Sequence, residues 1–300
     1  MSIILLGSHS FVAQHILASN KDILPYDRYF HNMDADIARF IVELKARNIE
    51  TVINCIGATG SPNIDALEND KEKTFFTNTM VPIGLAIACN KFGIHFIQLS
   101  SGCCFYGQSP NYYLERRGDP HYNEDTMKRV DAGWKETDFA NPQSTYSRSK
   151  YASDLVLEKL DTSCVLRLRM PVSTLNHPRN LLSKLIGYNQ VLETLNSITF
   201  LDDLTRAVQW VIDNKKTGIY HIASRDPLKH SAFLYEYIKY APDHRFQKIT
   251  PDELKFLTKA PRSNCILNVE KIQNEGFEFE NTNVAVDRYV REFAKNKGLI

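Results

Sequence analysis

Ile3-Ile4-Leu5-Leu6-Gly7-Ser8-His9-Ser10-Phe11-Val12-Ala13 opens the chain with four aliphatic residues, a glycine, and a turn of small residues that leads into a helical pattern. A run that is apolar at every position, rather than at alternate ones, belongs to a strand covered on both faces. Such strands make parallel sheets with helices above and below. A glycine at the strand end lets the backbone approach an anion at the N-terminus of the following helix, where N–H groups and the dipole favour negative charge. Three glycines at positions 7, 10 and 13 would be the stronger signal; here only Gly7 is one, and Ser10 and Ala13 are the smallest replacements available.

Working outward, the same alternation recurs. Thr51-Val52-Ile53-Asn54-Cys55 reads as a second buried strand, His95 to Ser100 as another, and Cys164-Val165-Leu166-Arg167-Leu168 as a further one. Between them, Ile37, Phe40, Ile41 and Leu44 recur at helical spacing after Asp34 or Asp36 as a cap. Thr77 to Phe92 reads as a helix stopped by Gly93, and Ala152, Leu155, Val156 and Leu160 mark another. The expected fold is therefore α/β: a Rossmann-type, doubly wound parallel sheet with ligands at the carboxyl ends of its strands. We place a Rossmann domain at 1–170 and a smaller, mostly helical portion at 171–300. Six prolines punctuate the latter, and Ile219 to Ala223 is expected to return to the sheet. Gln108 to Asn141, polar and rich in Tyr, reads as a surface excursion.

Composition narrows the function. With 36 basic and 35 acidic residues the net charge is +1, which argues against nucleic acid or any broad polyanion as partner. No apolar run approaches the ~20 residues of a membrane span. Met-Ser runs at once into the first strand, without a signal-peptide pattern, so a cytoplasmic location is expected (the host cytoplasm if the chain is viral). The six cysteines form no C-x-x-C pair, and neither they nor His9 and His15 have metal-site spacing, so no metal is expected. Cys55, Cys89 and Cys164 sit in apolar runs and read as small buried hydrophobes.

Two further stretches carry chemistry. The second-strand region Ile23-Leu24-Pro25-Tyr26-Asp27-Arg28 shows no clean acidic residue of the kind that marks NAD sites. Arg28 either faces a 2′-phosphate or is an ordinary solvated arginine. Tyr146-Ser147-Arg148-Ser149-Lys150 is a Tyr-x-x-x-Lys, which a helix places on one face. A lysine cation beside a phenol favours the phenolate, and such a tyrosine can exchange a proton with a carbonyl or alcohol oxygen. Ser101, at the end of the preceding strand, is placed to hold the same oxygen.

Ser, Tyr and Lys in this order resemble the extended short-chain dehydrogenase/reductases that act on nucleotide sugars. The resemblance extends over nearly the whole chain, through Asn54-Cys55-Ile56-Gly57-Ala58-Thr59-Gly60-Ser61-Pro62-Asn63, Ser101-Gly102-Cys103-Cys104-Phe105, Arg167-Leu168-Arg169-Met170-Pro171, Pro178-Arg179-Asn180 and Ala260-Pro261-Arg262-Ser263-Asn264. These motifs look like the bifunctional UDP-4-keto-6-deoxy-glucose 3,5-epimerase/4-reductases of plants and giant viruses, which make UDP-L-rhamnose. The resemblance implies catalytic roles for Ser101, Tyr146 and Lys150, with Cys103 as epimerase base and Lys184 as its acid partner. It implies cofactor contacts at Gly7, Ser10, Phe11, Val12, Arg28, Cys55, Ile56, Gly57, Asn78, Tyr146, Lys150 and Met170, the cofactor being NADPH with NADH as the other candidate. Substrate contacts are implied at Thr59, Asn63, Ser101, Asn180, Arg262 and Asn264. Ser61 departs from the Arg usual at its position, and the segment between Tyr106 and Lys135 is longer here.

The chemistry expected from that resemblance is coherent. A 4-keto group acidifies the protons on C3 and C5, so inversion needs a base on one face and an acid on the other. A cysteine, with an ordinary pKa near 8.5, suits the base role, and a desolvated lysine suits the acid role. Ser101 and Tyr146 would hold the enolate oxygen. The chain has no room for a dehydratase half, so a separate 4,6-dehydratase is expected upstream, and a homodimer is compatible with the resemblance. The alternatives are a reductase alone, acting on a dTDP- or GDP-linked 4-keto-6-deoxy sugar, and a catalytically silent NADP-binding subunit.

Overall fold

The computed structural model describes residues 2–28, 30–31, 33–109 and 133–300. Most of the expected excursion Gln108–Asn141 lies outside the described residues, as does the side chain of Asp34. Contacts divide the chain into two compact units. The first is Met1–Cys104, Pro142–Arg167 and Thr205–Tyr220; the second is Phe105–Asn141, Leu168–Leu204 and His221–Ile300.

A six-stranded sheet organises the first unit. Its strands are β1 (Ser2–Leu6), β2 (Ile23–Tyr26), β3 (Ile49–Asn54), β4 (His95–Ser101), β5 (Ser163–Leu168) and β6 (Gly218–Ile222), in spatial order β6-β5-β4-β3-β1-β2. Pairs β1–β2, β1–β3 and β3–β4 are parallel. The expected returning strand is β6 at the sheet edge. Because β2 lies on one side of β1 and β3 on the other, strand order reverses between β1 and β3, where doubly wound sheets open their binding crevice. Helices α1 (Phe11–Ser19), α2 (Met33–Ala46), α3 (Val81–Lys91) and α4 (Thr145–Leu157) accompany the strands. Ile4, Leu6, Val52 and Phe96 pack with Phe40, Leu44, Leu85 and Cys89 in one buried cluster. Burial on both faces explains why these strands carry adjacent apolar residues rather than a strict alternation.

The second unit has its own core. Val172, Leu182, Phe200, Phe233, Tyr289 and Phe293 gather there among α5 (Leu181–Ile186), α7 (His230–Ile238) and α8 (Thr282–Asn296), while α6 (Leu201–Asp213) leads the chain from one unit to the other. It is less purely helical than the pattern predicts. Three two-stranded ladders occur: Pro171–Val172 with Thr199–Phe200, Gln190–Leu192 with Gln247–Ile249, and Leu195–Asn196 with Leu228–Lys229. Strands this short carry no periodicity to read. The end of the excursion is anchored here: Trp134 stacks on Phe105 at 4.8 Å and donates its indole N–H to the Gly107 carbonyl at 2.9 Å. No described helix is long and apolar enough to cross a membrane.

Candidate active site

The glycine turn after β1 forms where β1 and β3 end side by side. Gly7 adopts φ +73°, and a Cβ there would lie 3.0 Å from the Ile56 nitrogen and 3.1 Å from the Cys55 carbonyl carbon, so the turn tolerates only glycine. Ser10 replaces a glycine with a cap: its Oγ accepts the Ala13 N–H at 3.3 Å and starts α1. This glycine cradle at the head of a helix fits a dinucleotide diphosphate. Phe11 and Val12 form the first turn of that helix.

Cys55, Ile56 and Gly57 continue from β3. Cys55 keeps a buried thiol although the residue as a whole is partly exposed. Desolvation pushes the pKa of that thiol up to about 12, with Lys150 near enough to oppose the shift. Asn78 locks the loop that follows. Its Oδ1 accepts the Ala58 N–H at 2.8 Å, and its Nδ2 donates to the Ala58 carbonyl at 3.0 Å and to Ser149 Oγ at 3.0 Å. It sits in a π-turn, Phe76–Met80, within the long helical stretch that the sequence predicts over Thr77–Phe92. Such bulges rotate one side chain out of the regular α pattern. Asn63 caps its own turn by accepting the Asp65 N–H at 2.8 Å, and Thr59 is exposed.

The catalytic candidates cluster at the end of β4. Ser101 is buried, and its Oγ accepts the Cys103 N–H at 3.2 Å, fixing a short 3-10 turn, Gly102–Cys104, that leaves Cys103 half-buried. Helix α4 starts with a reciprocal Ser144–Ser147 capping box, and Thr145 is held to Glu68 by both its N–H and its Oγ1. Tyr146 is half-buried in the first turn and Lys150 lies one turn on. Lys150 is only 4 % exposed and donates from Nζ to the Leu99 carbonyl at 3.3 Å. Desolvation lowers its pKa to about 8 against the opposing pull of Asp154 and Cys55. Gly57 makes room for it: a Cβ there would sit 2.8 Å from Lys150 Nζ. Gly57→Ala is therefore expected to push the ammonium aside with little effect on folding. It should raise the KM for the reduced dinucleotide about tenfold, read by initial rates at varied cofactor; an unchanged KM would remove Gly57 from the site.

Two features go beyond the sequence reading. Asp154, one turn beyond Lys150, is buried and accepts from Ser100 Oγ at 2.6 Å and from Arg167 Nε at 2.8 Å. Asp27 follows β2 directly, contrary to the expectation that no clean acid ends this strand; its carboxylate accepts the Ser8 N–H at 3.1 Å and Ser8 Oγ at 2.6 Å. Arg28 is part-buried and ion-paired rather than freely solvated. It pairs with Glu43 at 2.5 Å and lies 3.1 Å from the Tyr26 hydroxyl.

The second unit holds the remaining candidates. Met170 adopts φ +41° just before Pro171. Asn180 is fully buried and caps α5, accepting the Ser173 and Leu182 N–H groups and donating to the Ser173 and Leu175 carbonyls. Both donors and both acceptor sites of Asn180 are engaged within its own loop. Lys184 on α5 has its pKa lowered by burial, then by the charges of Arg179 and Arg262. Arg262 donates to the Ala260 carbonyl at 3.0 Å, and Asn264 accepts from Asn196 at 3.2 Å. Among the described residues no group of histidine, cysteine and acidic side chains is arranged to hold a metal ion.

A doubly wound sheet, a serine closing β4, and a Tyr-x-x-x-Lys helix whose lysine reaches under that strand end define an enzyme of the short-chain dehydrogenase/reductase class. More narrowly, the family model described as the RmlD substrate binding domain matches residues 1–295, and the chain belongs to that family. It is 29% identical over 260 residues to a bifunctional dTDP-4-dehydrorhamnose 3,5-epimerase/dTDP-4-dehydrorhamnose reductase of Arabidopsis thaliana, a match covering 86% of this chain and 81% of the relative. It is also 29% identical over 275 residues to a trifunctional UDP-glucose 4,6-dehydratase/UDP-4-keto-6-deoxy-D-glucose 3,5-epimerase/UDP-4-keto-L-rhamnose-reductase of the same plant; that match covers 91% of this chain but 39% of the longer protein. The crystal structure of the UDP-rhamnose synthase from Acanthamoeba polyphaga mimivirus superposes with a TM-score of 0.82 at 23% identity, covering 96% of this chain and 98% of the viral one.

Proposed function

We propose that the chain converts UDP-4-keto-6-deoxy-D-glucose to UDP-L-rhamnose by 3,5-epimerisation followed by reduction at C4. The observation that carries this reading is the compact arrangement at the end of β4. The Ser101 hydroxyl accepts the Cys103 N–H, which sets a thiol-bearing residue beside the hydroxyl, while Lys150 of the Tyr146 helix bonds the same strand at Leu99. A hydroxyl, a phenol and a thiol on one strand end and its neighbouring helix are what deprotonation next to a ketone requires.

In this reading Ser101 and Tyr146 donate to the keto oxygen and stabilise the enolate formed when a neighbouring carbon loses its proton. Cys103 removes the protons at C3 and C5, and Lys184, whose ammonium is made more acidic by burial and by two arginines, returns them. Tyr146 then protonates the C4 oxygen, and the Lys150 cation stabilises the phenolate left behind. A reduced nicotinamide dinucleotide, NADPH or NADH, supplies the hydride to C4. Gly7, Ser10, Gly57, Asn78 and Lys150 would hold it, and Arg262 would face the nucleotide diphosphate of the sugar. A 4,6-dehydratase acting first would supply the keto sugar, since a 4-keto-6-deoxy hexose is the product of such a reaction.

Cys103→Ser separates the two halves of the proposal. From the unepimerised keto sugar, formation of the rhamnosyl product should fall about a hundredfold or more, because a serine hydroxyl is a far weaker base at neutral pH. Reduction of sugar that is already epimerised should continue. Undiminished rhamnosyl product from the unepimerised sugar would reduce the enzyme to a reductase. No loss of dinucleotide absorbance with either sugar would leave a silent binding subunit.

A further inference from the structure

We propose that Asp27 sets the choice of dinucleotide and that the chain prefers NADH, which has a free adenosine ribose 2′-hydroxyl, over NADPH. This rests on the reductase reading above and reverses the order that the resemblance implies. Asp27 is the first residue past β2 and stands twenty residues beyond Gly7. In dinucleotide-binding sheets an acid at that place accepts a hydrogen bond from the ribose 2′-hydroxyl.

The contacts hold this acid against the cradle. Oδ1 accepts the Ser8 N–H at 3.1 Å, Oδ2 accepts Ser8 Oγ at 2.6 Å, and His9 Nε2 lies 3.1 Å from Oδ2. The turn is braced from the other side by Gln14, which donates to the Ser8 carbonyl at 2.6 Å. The carboxylate thus borders the turn that would receive the diphosphate. Its side chain is still 42% exposed, and Oδ1, which takes only the Ser8 N–H of these donors, keeps a second lone pair that can accept one more from solvent or from a ribose. A 2′-phosphate has no hydrogen to offer at neutral pH once ionised. It would bring a charge of about −1.5 to −2 beside a carboxylate, a like-charge contact that opposes binding.

An NADP site normally answers that charge with an arginine. Arg28 is the residue in the right stretch of chain, but its charge is balanced elsewhere. Nη1 lies 2.5 Å from Glu43 Oε1 and 3.1 Å from the Tyr26 hydroxyl, and Tyr26 itself bonds Glu43. The other basic side chain of the turn, His9, lies against Asp27 Oδ2 at 3.1 Å.

Calorimetric titration of the full-length chain with NADH and with NADPH, in the absence of sugar, tests this without relying on turnover. NADH should bind at least about tenfold more tightly. Asp27→Asn keeps the size and an acceptor for Ser8 but loses the charge, and it should bring the two dissociation constants to within about threefold, mainly by improving NADPH. Asp27→Ser, which leaves room for the phosphate, should move the ratio the same way and serves if the first variant folds poorly. Equal or tighter NADPH binding by the parent chain, or a ratio unmoved in both variants, overturns the assignment of Asp27 and leaves the reductase reading standing. Failure of the parent chain to bind either dinucleotide removes the reductase reading and this proposal with it.

Discussion

Lys150→Met is expected to make the protein more stable at pH 7 while nearly abolishing turnover. The ammonium is 4 % exposed, and desolvation brings its pKa from an ordinary 10.5 to about 8. At about 1.4 kcal/mol per pKa unit, holding the charged form in the fold costs about 3 kcal/mol. Methionine has a similar length and no charge to desolvate. Its gain is reduced by about 1 kcal/mol, because the Leu99 carbonyl loses its donor. The pH dependence has a definite sign. Below pH 8 the lysine is protonated in both states and the full penalty is present. Between about 8 and 10.5 only the unfolded chain keeps the proton, so the parent protein gains stability as pH rises. Above 10.5 both states are neutral and the advantage of the variant from this source disappears. Meanwhile kcat should fall about 100- to 10,000-fold, since the variant cannot favour the Tyr146 phenolate. Urea unfolding at pH 7 and at pH 10.5, with dinucleotide oxidation at pH 7, provides the check. A variant less stable than its parent at pH 7 would contradict the burial argument.

That residue also shows what the sequence could reveal. Lys150 was legible because Tyr-x-x-x-Lys fixes a helical face by spacing alone. The sheet was legible because β1, β3, β4 and β5 are covered on both sides and so each carries a run of adjacent apolar residues, such as Ile3–Leu6, Val52-Ile53, Phe96-Ile97 and Cys164–Leu166, rather than a strict alternation. Asp27 was not, because β2 is a four-residue edge strand with Leu24 and Pro25 exposed, so no burial pattern marked where it ends. Asn78 entered only through the resemblance, as a cofactor contact, since a π-turn inside a helix leaves no trace in a 3.6-residue period. The ladders of the second unit are two or three residues long, below what alternation can register. Asp154 left a signal that was available but unread. Arg167 interrupts an otherwise apolar strand, and a buried arginine demands an acid; Asp154 lies at i+4 from Lys150, on the face of α4 turned to the sheet.

Asp154→Ala should be the most destabilising single change at this site. The carboxylate and the Arg167 guanidinium are 0% and 2% exposed and meet at 2.8 Å, and Ser100 donates to the other carboxylate oxygen at 2.6 Å. An intact buried pair adds little, because desolvation of two ions offsets their attraction, but removing one partner strands the other charge and costs about 3–5 kcal/mol. The midpoint of urea unfolding should fall accordingly. The double variant Asp154→Leu with Arg167→Met, which leaves no buried charge, should recover most of the loss. Function should not recover with it. Asp154 is one of the two groups that raise the Lys150 pKa against desolvation, so every variant without the carboxylate should bring that pKa below about 8. The alkaline limb of the kcat profile should then shift toward neutral pH in the single and double variants alike. A merely structural ion pair would leave that limb in place once stability was restored, so the double variant distinguishes packing from a part in holding the proton on Lys150.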